Sequence, residues 1–330
     1  MSMPSLFQGK LALPLIGSPM FICSYPELVL AQCKAGVVGT FPSLNARPIN
    51  VLDEWLGMMA DELRGYAAAH PGRPVAPFGV NLIVHKSNGR LMDDLALVAN
   101  HRVPLIITSV GAPTEIVPAI HSYGGLVFHD VTNVKHAKKA LEAGVDGLIL
   151  VCAGAGGHAG TLSPFALLPE VREFFDGPIV LAGAMSSGRA IRAAEVLGAD
   201  FAYMGTRFIA TKEAHATDRY KQMILDGTAA DIVYTPVFSG VPGNYLAHSI
   251  AANGIDPADV AVSATGGKPN VSDWDNPGKK AWKDIWSAGQ GIGTIHDLPT
   301  VADLVARLAA EYADACGHRT VIMPSAAAAG

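Results

Sequence analysis

Apolar runs of four to six residues recur along the first two thirds of the chain, separated by segments with helical spacing of apolar positions. Eight runs stand out, in order: residues 13–17, 36–41, 78–82, 104–109, 126–129, 147–151, 178–182 and 201–205. They are apolar without alternation, as expected of strands buried on both faces of a parallel sheet. Helix signals fall between them. Ser24 precedes Pro26 and Glu27, Asn133 opens a segment closed by Gly144, and Ser187 opens one closed by Gly198. Eight β–α units within about 210 residues predict a closed (β/α)8 TIM barrel, an α/β fold, rather than an open sheet.

After Arg207 the pattern changes. Residues 208–285 are richer in polar and turn residues, including Gly240-Val-Pro-Gly243 and Asp273-Trp-Asp-Asn-Pro-Gly278. The expected organisation is a barrel over 1–207, a smaller and mostly helical substrate lobe over 208–285, and a return to the barrel over 286–323. That last segment carries a helix starting near Thr300, and the small-residue tail 324–330 is expected to be disordered.

Composition narrows the class. Half of the 330 residues are hydrophobic and 16% are charged, enough for one large core. The net charge of -5 and the lack of a basic block argue against nucleic acid as a partner. No apolar run reaches the roughly 18 residues of a membrane span, and no leader pattern opens the chain, so a cytoplasmic protein is expected. The four cysteines lack metal-type spacing, and no HExxH-like histidine pattern occurs, so no metal site is expected.

Chemistry in such a barrel belongs at the C-terminal ends of the strands. The sixth run leads into Val151-Cys-Ala-Gly-Ala-Gly-Gly-His-Ala-Gly160, where glycines surround His158. Glycine permits close backbone approach to a ligand, and histidine moves protons near neutral pH, so His158 is the candidate catalytic residue. The same loop fits G-x-G-x-x-A, but Thr161-Leu-Ser-Pro164 interrupts the helix that a dinucleotide fold needs, and no acidic strand end follows. Small residues after the seventh and eighth runs, Gly183-Ala184 and Gly205-Thr206, suit a phosphate held by backbone N–H groups. The competing view is that these glycines only make tight turns. Asn81, late in a buried strand, needs a polar partner. Of His129 and Asp130, adjacent on the fifth strand, one is expected to face the site. Cys152 reads as core.

Pro14-Leu-Ile-Gly-Ser-Pro-Met20, Gly79-Val-Asn81, the Ala153–Gly160 loop, Leu181-Ala-Gly183 and Met204-Gly-Thr-Arg-Phe208 together resemble the nitronate monooxygenases, formerly 2-nitropropane dioxygenases, and the related FMN-dependent quinone and enoyl reductases. The resemblance covers about residues 10–210 and Trp286–Gly293. It implies a non-covalent FMN with Gly183, Ala184, Gly205 and Thr206 at the phosphate. Pro19, Met20, Asn81 and Ser109 would line the ring, Ser287, Gly289 and Gln290 would close over it, and His158 would face its reactive edge as imidazolium anchor or as base. Two positions depart from the pattern: Ala184 replaces a glycine, and Asp130 stands where some reductases carry a lysine. The implied reaction is oxidation of an alkyl nitronate by oxygen to a carbonyl compound and nitrite. The alternatives are an NAD(P)H-dependent FMN reductase of quinones or enoyl thioesters, and a flavin-free phosphate-binding barrel lyase or isomerase. Partners are then a small-molecule substrate and oxygen, with no membrane, and with room for a homodimer.

Overall fold

A computed structural model describes residues 3–261 and 284–317. Eight parallel strands form the main sheet: β1 (Leu15–Gly17), β2 (Gly39–Pro42), β3 (Phe78–Ile83), β4 (Leu105–Ser109), β5 (Leu126–Val131), β6 (Gly147–Val151), then β8 (Ile179–Ala182) and β9 (Phe201–Met204). A two-residue strand, β7 (Gly157–His158), lies outside it. The order β1-β9-β8-β6-β5-β4-β3-β2 returns to its start, because Ile16 bridges Val38 in parallel and Gly17 N donates to Val38 O at 2.8 Å. The sheet is therefore a barrel, as expected from the eight runs.

Strand parity divides the core into two concentric layers. Ile16, Leu105, Ile107, Phe128, Ile149, Val180 and Phe201 point inward and pack together. Phe7, fully buried, joins that interior cluster, its ring 5.0 Å from that of Phe201. Alternate residues such as Val80, Ile106, Leu148 and Leu150 point outward and pack under the helices. A strand wedged between interior and helix layer has no polar face, which is why these strands read as unbroken apolar runs.

Helix ends follow their signals with one exception. Asn133 and Ser187 cap the helices Val134–Glu142 and Gly188–Leu197 by accepting from His136 N and Ala190 N, and Gly198 closes the second at φ 112°. Ser24, read as a cap, is not one: Tyr25 holds that place without a side-chain bond. Ser24 Oγ turns back to the loop after β1 and accepts from Met20 N at 3.0 Å.

Beyond the barrel the described chain is not helical throughout. Strands β10 (Ile232–Thr235) and β11 (Gly243–Leu246) form an antiparallel hairpin, and β11 pairs with β7 so that Gly243 lies opposite His158. Helices Asp218–Asp226, Ala247–Ala252 and Pro257–Ala261 accompany it. The Asp273–Gly278 turn segment and the 324–330 tail lie outside the described residues.

Candidate active site

At the C-terminal ends of the strands a cavity of about 600 Å³ opens. It is lined by Pro19, Met20, Asn81, Ser109, His158, Gly183, Ala184, Gly205, Thr206, Ser287 and Gly289, which the sequence nominates from seven separate segments. Gln290, the twelfth residue nominated, is exposed and does not line it. Its contribution is a backbone N–H donated to Gly154 O at 2.9 Å.

That bond belongs to a knot of three loops. Gly154 O also accepts from Ala184 N at 3.2 Å, so one carbonyl ties the loop after β6 to the loop after β8 and to the 288–291 segment. The glycines make the close approach feasible. A Cβ on Gly156 would stand 2.8 Å from Gly289 N, and one on Gly289 would stand 2.7 Å from Gly154 O. Glycine enrichment in this loop thus serves backbone-to-backbone packing as well as His158.

The two phosphate-type turns differ from each other. Gly183 (φ 135°) and Ala184 (φ 52°) both adopt left-handed backbone, an uncommon conformation for alanine. The following helix has its first amide satisfied already, since Gly188 N donates to Glu311 Oε2 at 2.7 Å. An anion here would therefore meet the 183–185 turn and not that helix end. At the other turn Gly289 N donates to Thr206 Oγ1 at 2.8 Å, leaving the Thr206 hydroxyl proton for a ligand.

The loop after β1 is fixed by residues that sequence inspection passed over. Asn45, buried, donates to Met20 O and Ser24 O and accepts from Ile22 N, which holds Ile22 at φ 59°. Asn81 donates to Ile107 O at 3.2 Å and to Ser109 Oγ at 3.3 Å, so its NH2 group is used and its carbonyl oxygen is the group left for a ligand. Tyr220 stacks on Trp286 and donates to Ser287 O, setting the 286–289 strap over the cavity.

His158 is delivered by the edge pairing of β7 with the hairpin. Its Nε2 lies 2.9 Å from Ser239 Oγ in the hairpin turn, and Tyr245 Oη donates to the same oxygen at 3.1 Å. Ser239 Oγ donates its proton to Val241 O, so the imidazole carries its own proton on Nε2. Burial pushes His158 down to about 4. An imidazole so lowered is neutral at neutral pH unless an anion comes into contact with it.

Both His129 and Asp130 border the cavity, where one was expected, although parity sends their side chains to opposite sides of β5. His129 turns to Thr108, with Nδ1 2.8 Å from Oγ1, and burial foremost, then the nearby His136, lowers it to about 4. Asp130 follows Phe128 toward the interior. Cys152 is buried and its thiol is pushed up to about 12, so it has no nucleophilic character; all four cysteines are free. Among the described residues no three His, Cys, Asp or Glu side chains gather as a metal site, and no helix is long and apolar enough to cross a membrane.

The site is thus a cavity at the strand C-termini of a closed (β/α)8 barrel, the place where barrel enzymes act on small molecules, with glycine turns after β8 and β9 and the half-buried His158 on its wall. The chain belongs to the nitronate monooxygenase family, whose sequence profile matches residues 79–311. It is 25% identical over 344 aligned positions to a protein named nitronate monooxygenase from Paraburkholderia phytofirmans, covering 90% of this chain and 92% of that one. It is 27% identical, with the same coverage, to a hydroxy-methyl-oxo-octahydroindene-carboxyl-CoA dehydrogenase from Rhodococcus jostii. Among solved structures, FabK from Thermotoga maritima superposes with a TM-score of 0.74 at 21% identity, covering 96% of this chain and 98% of that one. A nitroalkane oxidase from Streptomyces ansochromogenes gives 0.73 at 24%, covering 94% and 99%. These two likenesses establish the shared barrel.

Proposed function

We propose that this enzyme binds FMN and oxidises small alkyl nitronates with oxygen, giving a carbonyl compound and nitrite. The observation that carries the reading is the neutral, hydrogen-bonded His158 on the wall of a cavity that also holds the Gly183–Ala184 and Gly205–Thr206 turns.

The residues present fit a flavin. Asp130 Oδ1 and Tyr203 Oη are buried at the cavity with no partner among the described residues, and an isoalloxazine ring offers polar atoms along one edge to satisfy them. Gly183, Ala184, Gly205 and Thr206 would hold the phosphate, Pro19, Met20, Asn81 and Ser109 would meet the ring, and Ser287 and Gly289 would close over it. When bound, the flavin would supply the electron transfer from substrate to oxygen.

The chain's own part is positioning and proton control. A histidine titrating near 4 is a weak base, poorly matched to the α-proton of a neutral nitroalkane. It is better matched to a substrate that arrives already deprotonated. The neutral ring spends its Nε2 proton on Ser239 Oγ, so His158 would act once the anion is in contact, as a group whose proton affinity that anion raises and which, protonated, donates from Nδ1. Ser239 and Tyr245 hold the ring in place during that exchange. The loops closing on Gly154 O keep water from the reacting face.

A second reading is reduction of an acyl thioester or quinone at the expense of NAD(P)H. It draws on the Rhodococcus jostii relative named as a CoA dehydrogenase, matched over as much of the chain as the monooxygenase relative. Nitrite release from an alkyl nitronate in air, measured for the FMN-loaded protein and for His158→Ala, separates the two. The first reading expects release that falls at least tenfold in the variant. No release from the native protein, with NAD(P)H oxidation that needs a thioester or quinone, would establish the second.

A further inference from the structure

The interior of the barrel holds two polar atoms that the described residues leave unbonded. Asp130 Oδ1 and Tyr203 Oη are sealed from solvent and have no hydrogen-bond partner among the described residues. Parity explains why both face inward: Asp130 lies two residues after Phe128 on β5, and Tyr203 two after Phe201 on β9, and both phenylalanines belong to the interior cluster. Both side chains border the cavity, and each lies within the other's electrostatic reach. Thr40 and Asn81, which share the inward parity, have hydrogen-bond partners, whereas unpartnered buried polar atoms are costly unless a ligand completes them.

We propose that Asp130 and Tyr203 form a paired donor site for a carbonyl edge of the flavin ring, and that Asp130 takes the second proton bound when the flavin is reduced. The inference rests on the flavin reading above and adds to it a defined role for a carboxyl at this position. Tyr203 gives one O–H in either flavin state, and Asp130 gives a second whenever it is protonated, so that two donors would then meet one acceptor. Burial pushes Asp130 up to about 7, with no neighbouring cation to offset it. The other titratable groups bordering the cavity are His129, turned to Thr108, the neutral His158, the phenol of Tyr220, the thiol of Cys23, and His136 and Lys139 at the exposed rim.

The proton balance follows. Above pH about 7 Asp130 is a carboxylate when the flavin is oxidised. A two-electron donor such as dithionite then delivers two electrons to the ring, which binds one proton itself. The negative charge left on the ring disfavours the adjacent carboxylate, which binds the other proton from water. Two electrons and two protons are taken up, and no net charge is added to the site.

The test is the midpoint potential of the full-length, FMN-loaded protein, titrated with dithionite and redox dyes from about pH 7 to about pH 9. The native protein is expected to show two protons per two electrons, and Asp130→Asn one, a halving of the slope. Tyr203→Phe should keep the two-proton slope and bind FMN more weakly. Equal slopes in native and Asp130→Asn protein would overturn the inference while leaving the flavin reading intact. A protein that takes up no FMN would overturn both. Should Asp130→Asn fail to fold, the native protein's reduced-minus-oxidised infrared spectrum at about pH 8 decides: a carboxylic-acid carbonyl band gained on reduction supports the inference, and its absence refutes it.

Discussion

Gly156→Ala isolates what the glycine loop contributes. Gly156 does not adopt a left-handed backbone, so alanine brings no conformational strain and the effect is purely steric. The new Cβ would lie 2.8 Å from Gly289 N, 3.0 Å from Ala288 C and 3.3 Å from Thr206 Oγ1, whereas ordinary contact begins at 3.4 Å. The 288–291 strap must therefore retreat by 0.6 Å, the difference between 3.4 and 2.8. It is not free to do so, because Gln290 N is bonded to Gly154 O and Gly289 N to Thr206 Oγ1. Overpacking of this kind costs about 1–3 kcal/mol, and a loosened hydrogen bond adds about 1, giving about 2–4 kcal/mol in all. Urea unfolding should show a lowered midpoint at unchanged m-value, and the purified variant should retain less FMN. Gly65→Ala is the control: it lies exposed in the helix Ile49–Ala69 with open space around its Cβ, and should stabilise by about 0.5–1 kcal/mol. A Gly156→Ala protein with native midpoint and full FMN content would refute the account of the loop.

Three further outcomes follow from the structure. Asp297→Ala leaves the Arg207 guanidinium, 3% exposed, without its carboxylate and should cost about 3 kcal/mol in urea unfolding, whereas Arg307→Ala on the exposed side of the same carboxylate should cost less than about 1; equal losses would contradict this. Ser187→Ala removes the cap that accepts from Ala190 N and should cost about 1 kcal/mol by the same measurement, a loss that Ser187→Asp should restore. The third outcome concerns pH. His129 and His158, lowered to about 4, contribute stability that is present above their unfolded value near 6.5 and lost as pH falls toward 4. Asp130, raised to about 7, acts oppositely: its contribution is full below 3.8 and is lost as pH climbs through 7. Apo Asp130→Asn should therefore gain stability more steeply than native protein between about pH 4.5 and about pH 7, and parallel pH profiles would count against the buried Asp130.

The barrel was legible because its strands are buried on both sides, so each one appears as an apolar run whatever its neighbours are. Boundaries moved where turns intervene. The second run begins at Gly36 in sequence, but Gly36 (φ 79°) belongs to the turn after the helix Pro26–Lys34, and β2 starts at Gly39. Site residues carried on strand ends, such as Asn81 and Ser109, could be found by counting strands. What escaped depends on contacts remote in sequence. The hairpin β10–β11 has four-residue strands and is anchored by pairing with β7, a partner that no local pattern reveals. Ser239 and Tyr245 were overlooked for the same reason. Glu311, on the last helix, reaches back to Gly188 N and occupies a helix end that the sequence offered to a phosphate. The facing of Asp130 and Tyr203 exists only once the barrel closes. Parity could have put each one inward, but only the fold shows that neither has a partner among the described residues.

The most direct test of the central claim is anaerobic mixing of the FMN-loaded protein with an alkyl nitronate, and separately with NAD(P)H, while flavin absorbance is followed. Bleaching by the nitronate alone is expected, slowed in His158→Ala, with little change on adding NAD(P)H. Rapid bleaching by NAD(P)H and none by the nitronate would contradict it.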